Sequence, residues 1–232
     1  GTAALLQLIS HSGLLPVNNH QENSFADASK VSGEELARSW LKEKRACFSC
    51  PGACGRECEI DGERGGGPEY ETIWAFGPDC GVSDLGAIIR ANNLCNELGL
   101  DTISTGVTIA CAMELSEKGY LPYTVRYGDK DAVVNLVRMI AYRAGIGDEM
   151  AEGSFRFAAR YGHPELSMSA KKLEFPAYDP RGLQGQGLEY ATSVRGACHV
   201  YGNMLYPELL GVPVKLDPFV TQGKAQWTKT LQ

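Results

Sequence analysis

No apolar stretch in this 232-residue chain reaches the roughly 20 residues a membrane-spanning helix needs, so a helical membrane span is not expected. Lysine and arginine nowhere gather into a block, which removes the footprint of a nucleic-acid or charged-membrane partner. No segment reads as a secretory signal peptide, and there is neither an internal repeat nor a low-complexity tract. What is present is an ordinary apolar fraction with a formal net charge of −6, in a chain long enough for one large or two small globular domains. The first residue is Gly1 rather than a methionine, and Thr221 to Gln232 reads as a helix that opens without finishing. Both features lead us to expect an excised piece of a longer protein.

Three of the eight cysteines stand close together, as Cys47-x-x-Cys50-x-x-x-Cys54. Thiolates are soft, charged donors, and three in one short loop repel one another unless a cation or an iron–sulfur cluster takes up their charge. Pro51 and Gly52 let the backbone wrap around a ligand instead of running on as helix. Cys58 would complete a four-cysteine set that suits a ferredoxin-like cluster and a zinc site equally well. Disulfides are the competing use of an even cysteine count, although such frameworks belong to short secreted chains. Spacing alone leaves zinc, cluster and disulfide open. Cys95 and Cys111 fall among apolar residues, where a free cysteine behaves as a small hydrophobe, and are expected in the core.

Most of the chain carries the helical period, so the fold class expected is mainly α. Ser32 and Glu35 form a capping-box pair ahead of Leu36, Trp40 and Leu41, predicting that a helix delivers the chain to the cysteine loop. After Gly65, Gly66 and Gly67 comes Pro68-Glu-Tyr-Glu-Thr72, read as a non-repetitive segment that can bring a carboxylate close to something bound. Ser83 or Asp84 opens a helix that stops at Gly99. The next, from about Ser104 to Lys118, is apolar nearly all round and should be buried. Asp129 caps a further helix, and Asp148 opens another that includes Met150, Phe155 and Ala158. From His163 to Pro176 the period weakens, and Leu166 to Phe175 alternates, which suggests a domain boundary; we divide the chain into residues 1–168 and 169–232. The second unit holds Asp179-Pro-Arg-Gly182, then Gly185 and Gly187 leading into a short helix over Leu188 to His199, whose first amides can meet an anion.

Taken together, the loop over 47–56, Gly67-Pro-Glu-Tyr-Glu-Thr72, the run Leu94 to Gly106, Asp179-Pro-Arg-Gly182 and the run Tyr190 to His199 resemble the tungsten-containing aldehyde ferredoxin oxidoreductase family. The resemblance covers essentially the whole chain. It implies the family's helical middle domain plus the truncated start of its C-terminal helical domain, with a β-rich domain preceding them in the parent protein. It implies a cytoplasmic, anaerobic enzyme in which a tungsten bis-pterin centre lies beside a [4Fe-4S] cluster. An aldehyde is then oxidised to its carboxylic acid, with ferredoxin as the electron acceptor.

Carried over residue by residue, the resemblance makes Cys47, Cys50 and Cys54 three of four cluster ligands, the fourth lying later in the parent chain. The family's pterin-contact pattern, Asp-x-x-Gly-Leu-Asp, is matched by Asn96, Gly99, Leu100 and Asp101, with the first acid changed to an amide. Asn96 can accept a hydrogen bond from a pterin N–H but brings no charge, so its contact is expected to be weaker. Glu71 and His199 match the two polar side chains facing the metal, Glu71 as general base and His199 as hydrogen-bond partner to the substrate oxygen. Arg195 and Gly196 match positions beside the pterin. Some members hold a metal between two subunits with a glutamate where this chain has Arg90; arginine cannot ligate it, and a homodimer of the parent protein is left open. Because a cluster ligand and half the pterin cradle are missing, the isolated piece is expected to be inactive. Two rival readings are the active-site subunit of a benzoyl-CoA reductase of the same family, and a non-catalytic helical module with structural zinc on Cys47, Cys50, Cys54 and Cys58.

Overall fold

In the computed structural model, which describes residues 1–232, the helix-start signals of the sequence become real caps. Helix α1 spans Leu5–His11 and α2 spans Gly33–Ser39, the latter opened by Ser32 Oγ accepting from the Glu35 N–H at 3.1 Å. Asp84 caps α4 (Leu85–Leu98), which follows the short α3 (Tyr70–Phe76) and ends at Gly99 in the left-handed conformation. Asp101 and Asp129 cap α5 (Thr102–Glu117) and α6 (Lys130–Ala141) in the same way. Each cap satisfies a backbone donor that the first turn of a helix otherwise leaves free. The chain continues through α7 (Ile146–Met150), α8 (Ser154–Arg160), α9 (Gln184–Thr192) and α10 (Lys224–Leu231), so the fold is mainly α.

Helix α5 is the axis of the core. Residues Thr105 to Leu115 are buried without interruption, so no stripe faces water and the all-round apolar pattern is explained. Its close approach to α3 requires Gly106, where a Cβ would stand 2.6 Å from the Ala75 methyl carbon. Trp74 on α3 is fully buried and donates its indole N–H to the Pro16 carbonyl at 2.8 Å. The apolar cluster continues past residue 169 to include Ala177, Tyr178, Leu183 and Leu205.

Five short strands also form, one of them where the periodicity read helix. Leu41 does not extend α2: the chain turns at Trp40 into β1 (Leu41–Arg45), which pairs antiparallel with β2 (Gly55–Ile60), and β2 pairs with β3 (Glu63–Gly66). The cysteine loop is therefore the tip of a β-hairpin and does not hang from a helix end. Tight pairing of Ile60 with Glu63 leaves Asp61 and Gly62 as a two-residue turn, both at positive φ as a type I′ hairpin requires. The alternating stretch near Met168 is a small hairpin of β4 (Ser169–Ala170) and β5 (Leu173–Glu174).

Three helix readings also change. The segment holding Glu71 is not irregular, because Glu71 sits in the first turn of α3. The helix placed from Asp148 to Ala158 is two helices, broken at Gly153, where φ is +86°. The helix placed over Leu188 to His199 begins earlier and stops at Thr192, so His199 lies on the loop that follows α9. Its N-terminus does meet an anion, and the anion is the protein's own. Glu208, fully buried, accepts from the Gly185 and Gln186 N–H groups at 2.8 and 3.0 Å and pairs with buried Lys224 of α10.

Candidate active site

Residues 70 and 71, adjacent on α3, clamp a single residue of the 176–179 segment, Ala177, through the peptide groups on either side of it. The Tyr70 hydroxyl donates to the Ala177 carbonyl at 2.8 Å, and the Ala177 N–H donates to Glu71 Oε2 at 2.8 Å. The Tyr190 hydroxyl on α9 reaches the next carbonyl, that of Tyr178, at 3.3 Å. Three side chains from two helices thus fix a stretch that has no ladder of its own. Arg181 holds the segment from its other end: its guanidinium grips Asp179 and donates to the His20 carbonyl at 2.7 Å.

The other carboxylate oxygen of Glu71 is the polar atom the fold leaves unanswered. Oε1 is buried without a hydrogen-bond partner, and His199 Nε2 stands 3.8 Å away, too far for a hydrogen bond. Burial pushes the Glu71 carboxyl up to about 8; the Ala177 amide and the Tyr178 hydroxyl oppose the rise, and the charge of Asp101 adds to it. His199 moves the other way. Burial and the neighbouring Arg195 cation lower its pKa, against Asp101, so the imidazole is held neutral. At neutral pH the pair is a largely protonated carboxyl facing a neutral imidazole.

Glu71 lines a cleft of about 380 Å³ whose other residues are polar or glycine except Ile103, and His199 is not among them. Asn96 and Asp101 line the same cleft, with Glu69, Thr72, Asn92 and Thr102. Asp101 spends one oxygen capping α5, on the Ser104 N–H at 2.7 Å, while Asn96 is exposed on the last turns of α4. Gly99 and Leu100 do not line the cleft; they make the turn between α4 and α5 that puts Asn96 and Asp101 on one rim, and Leu100 packs against the core. Arg195 is exposed and Gly196 buried on the loop leading to His199, and neither reaches the cleft lining. Gly196 is required by the backbone itself: φ is +91°, and a Cβ there would meet the Ala170 carbonyl oxygen at 2.2 Å. Tyr70, Tyr178 and Tyr190 went unread in the sequence, where buried tyrosines carry no periodic signal.

Cys47, Cys50 and Cys54 lie apart from the cleft, on the exposed hairpin tip, as free thiols. The turn between them uses a Cys50 N–H to Cys47 carbonyl bond of 3.0 Å, with Ser49 and Ala53 both at positive φ. No group of three or more histidine, cysteine or acidic side chains converges at metal-binding distance. Cys58 faces the opposite way, fully buried in β2, where burial raises its thiol pKa. A four-thiolate set on 47, 50, 54 and 58 is therefore not what this hairpin presents. Soft donors on one free loop suit three ligands of an iron–sulfur cluster, and amide, hydroxyl and carboxylate groups around an unpartnered Glu71 oxygen suit a polar heterocycle.

The profile of a family described as aldehyde ferredoxin oxidoreductase, domains 2 and 3, matches residues 1–232. The chain is 49% identical over 229 residues to the tungsten-containing aldehyde ferredoxin oxidoreductase of Pyrococcus furiosus, and 50% identical to that of Thermococcus kodakarensis. Each alignment takes in 94% of this chain and 37% of the relative, so the chain spans little more than a third of their length. Among solved structures, the active-site complex BamBC of benzoyl-coenzyme A reductase with 1,5-dienoyl-CoA superposes with a TM-score of 0.68. That match has 24% identity and covers 83% of this chain and 31% of that one, a likeness of fold. The matched profile defines the class, two domains of an oxidoreductase, and the observed fold is mainly α. Within that class, the chain belongs to the aldehyde ferredoxin oxidoreductase family.

Proposed function

We propose that the parent protein oxidises an aldehyde to its carboxylic acid and passes two electrons through a [4Fe-4S] cluster to ferredoxin, this chain supplying one wall of the active site and the cluster loop. The observation that carries the reading is the unpartnered, buried Oε1 of Glu71 beside a neutral His199, on a residue that also lines the cleft shared with Asn96 and Asp101. Close identity to two tungsten-containing aldehyde ferredoxin oxidoreductases supports the substrate class over the aromatic thioester of the fold relative.

A tungsten bis-pterin centre, when bound, would supply the two-electron redox chemistry. Asn96 and Asp101 would hold pterin N–H groups at the rim, with Arg195 and Gly196 contributing from the loop before His199. Oxidation of an aldehyde to its acid takes up one water and releases two electrons and two protons, so a proton acceptor must stand at the reacting carbon. Glu71 is that acceptor, and His199 Nε2 holds the substrate oxygen. Because Glu71 titrates near 8, only its minority ionised form serves at neutral pH, and the rate should climb as pH rises through about 8.

Cys47, Cys50 and Cys54 would supply three thiolates to the cluster. We also propose residues 1–168 as the middle domain and 169–232 as the start of the C-terminal domain, a division supported by the two domains in the matched family description. A cytoplasmic location for the parent is proposed on the same kinship; no helix here is long and apolar enough to cross a membrane.

The test is aldehyde oxidation by the full-length protein with ferredoxin or a viologen dye. Glu71→Gln should cut kcat by about 10²–10⁴-fold, the usual contribution of a positioned acid or base, and erase the limb near pH 8. An unaltered pH profile in that variant would end the assignment.

A further inference from the structure

We propose that Arg56 is a positioning residue for the electron exit, a buried fixed cation that favours the reduced state of a cluster held by Cys47, Cys50 and Cys54. The inference rests on the reading of that loop as a cluster site, and concerns a residue that no motif singled out.

Arg56 is the second residue of β2, two positions after Cys54, and strand alternation turns its side chain inward with Cys58 and Ile60 while Glu57 and Glu59 face out. Only 9% of the side chain is exposed. The Cys54 carbonyl oxygen and Arg56 Nη1 flank the same point beside Gly1, 2.7 and 2.8 Å from where a Cβ on that residue would stand. The guanidinium therefore lies against the base of the cysteine loop.

On its other side the guanidinium meets Glu69, with Nη2 2.6 Å from Oε1. Glu69 is the residue before α3, two before Glu71, and lines the cleft. Thr2 donates its hydroxyl to Glu69 and accepts the Tyr70 N–H, so the carboxylate is held in place. The Gly67 N–H donates to the Arg56 carbonyl at 2.8 Å, completing a bridge of a few residues from the loop to the cleft wall.

One carboxylate does not exhaust this cation. Nε is buried with no acceptor, a costly arrangement for a charged donor. Glu69 is half exposed, so water screens part of its charge, while the guanidinium is nearly covered. The guanidinium is thus the less screened charge of this pair at the base of the loop. Each electron that reduces the cluster adds one negative charge there, and a buried cation beside it stabilises that state. Glu69 pulls in the opposite direction.

These opposed roles define the experiment: redox titration of the cluster, followed by electron paramagnetic resonance, in full-length wild-type protein and in Arg56→Gln, Arg56→Lys and Glu69→Gln, at matched iron and sulfide content. Arg56→Gln should lower the midpoint potential, Arg56→Lys should stay near wild type, and Glu69→Gln should raise it. A bracing role alone predicts no such opposition of sign. Unshifted potentials, or shifts of the same sign in Arg56→Gln and Glu69→Gln, would overturn the proposal. Should Arg56→Gln not fold, Glu69→Gln decides: a higher potential supports it and an unchanged one defeats it. If the wild-type protein takes up no iron and sulfide, the reading of the loop falls first and the role of Arg56 with it.

Discussion

The hairpin tip and the clamp around Ala177 are both assigned to chemistry, yet they are built in opposite ways. The three thiols of the tip are exposed, Phe48 between them is fully exposed, and the ion pairs on the hairpin, such as Arg64 with Glu57 and Glu59, lie at the surface. Around Ala177 the side chains are mostly covered, the two bonds to α3 span more than a hundred residues, and one oxygen is left over. Ligands that a metal will organise need little preorganisation by protein. A proton acceptor must be desolvated in advance, and only packing can do that.

The contrast can be broken from the packed side first. Gly196→Ala places a Cβ against the Ala170 carbonyl at a positive φ, and should cost about 3 kcal/mol or more while displacing His199, as read by denaturant unfolding. Next comes the pH dependence of stability. A carboxyl raised from 4.5 to about 8 binds its proton more tightly in the folded state, so stability is full below pH 4.5 and falls as pH rises toward 8. With Glu71 part-exposed at 13%, the loss should be on the order of 2 kcal/mol, and Glu71→Gln should flatten it.

Two cysteine experiments then sharpen the comparison. Cys58→Ala should cost about 1 kcal/mol from the lost buried sulfur and leave iron uptake intact. The combined Cys47→Ser, Cys50→Ser and Cys54→Ser variant should abolish iron uptake while its melting midpoint moves by no more than about 1–2 °C, because exposed side chains contribute little to the fold. Iron retained in that variant, or lost in Cys58→Ala, would reverse the assignment of the loop.

What could be read from the sequence follows the range of the forces involved. Ser32, Asp84 and Asp129 declare their helices because a cap acts over three residues, and α5 declares its burial because apolar residues fill its whole circumference. The sheet of β1 to β3 stayed hidden: β1, Leu-Lys-Glu-Lys-Arg, is almost all exposed and polar, so it carries no alternation, and the pairing that makes it a strand comes from β2. The same limit applied to the site. Glu71, Asn96 and Asp101 were picked by motif and do share a cleft, but the tie of Ala177 to Tyr70 and Glu71 spans more than a hundred residues of chain. Likewise the glycine-led start of α9 read as able to meet an anion, but that Glu208 supplies it from more than twenty residues on was not legible.

The clamp on Ala177 also makes that residue an observer. Its N–H ends on the carboxylate oxygen of Glu71, so gain or loss of the Glu71 proton changes the acceptor seen by one backbone amide and by few others. In a nitrogen-labelled sample, the Ala177 cross-peak should trace the titration of the buried acid directly. Chemistry at the cleft could then be followed from a backbone resonance, with no substrate turning over and no metal in view.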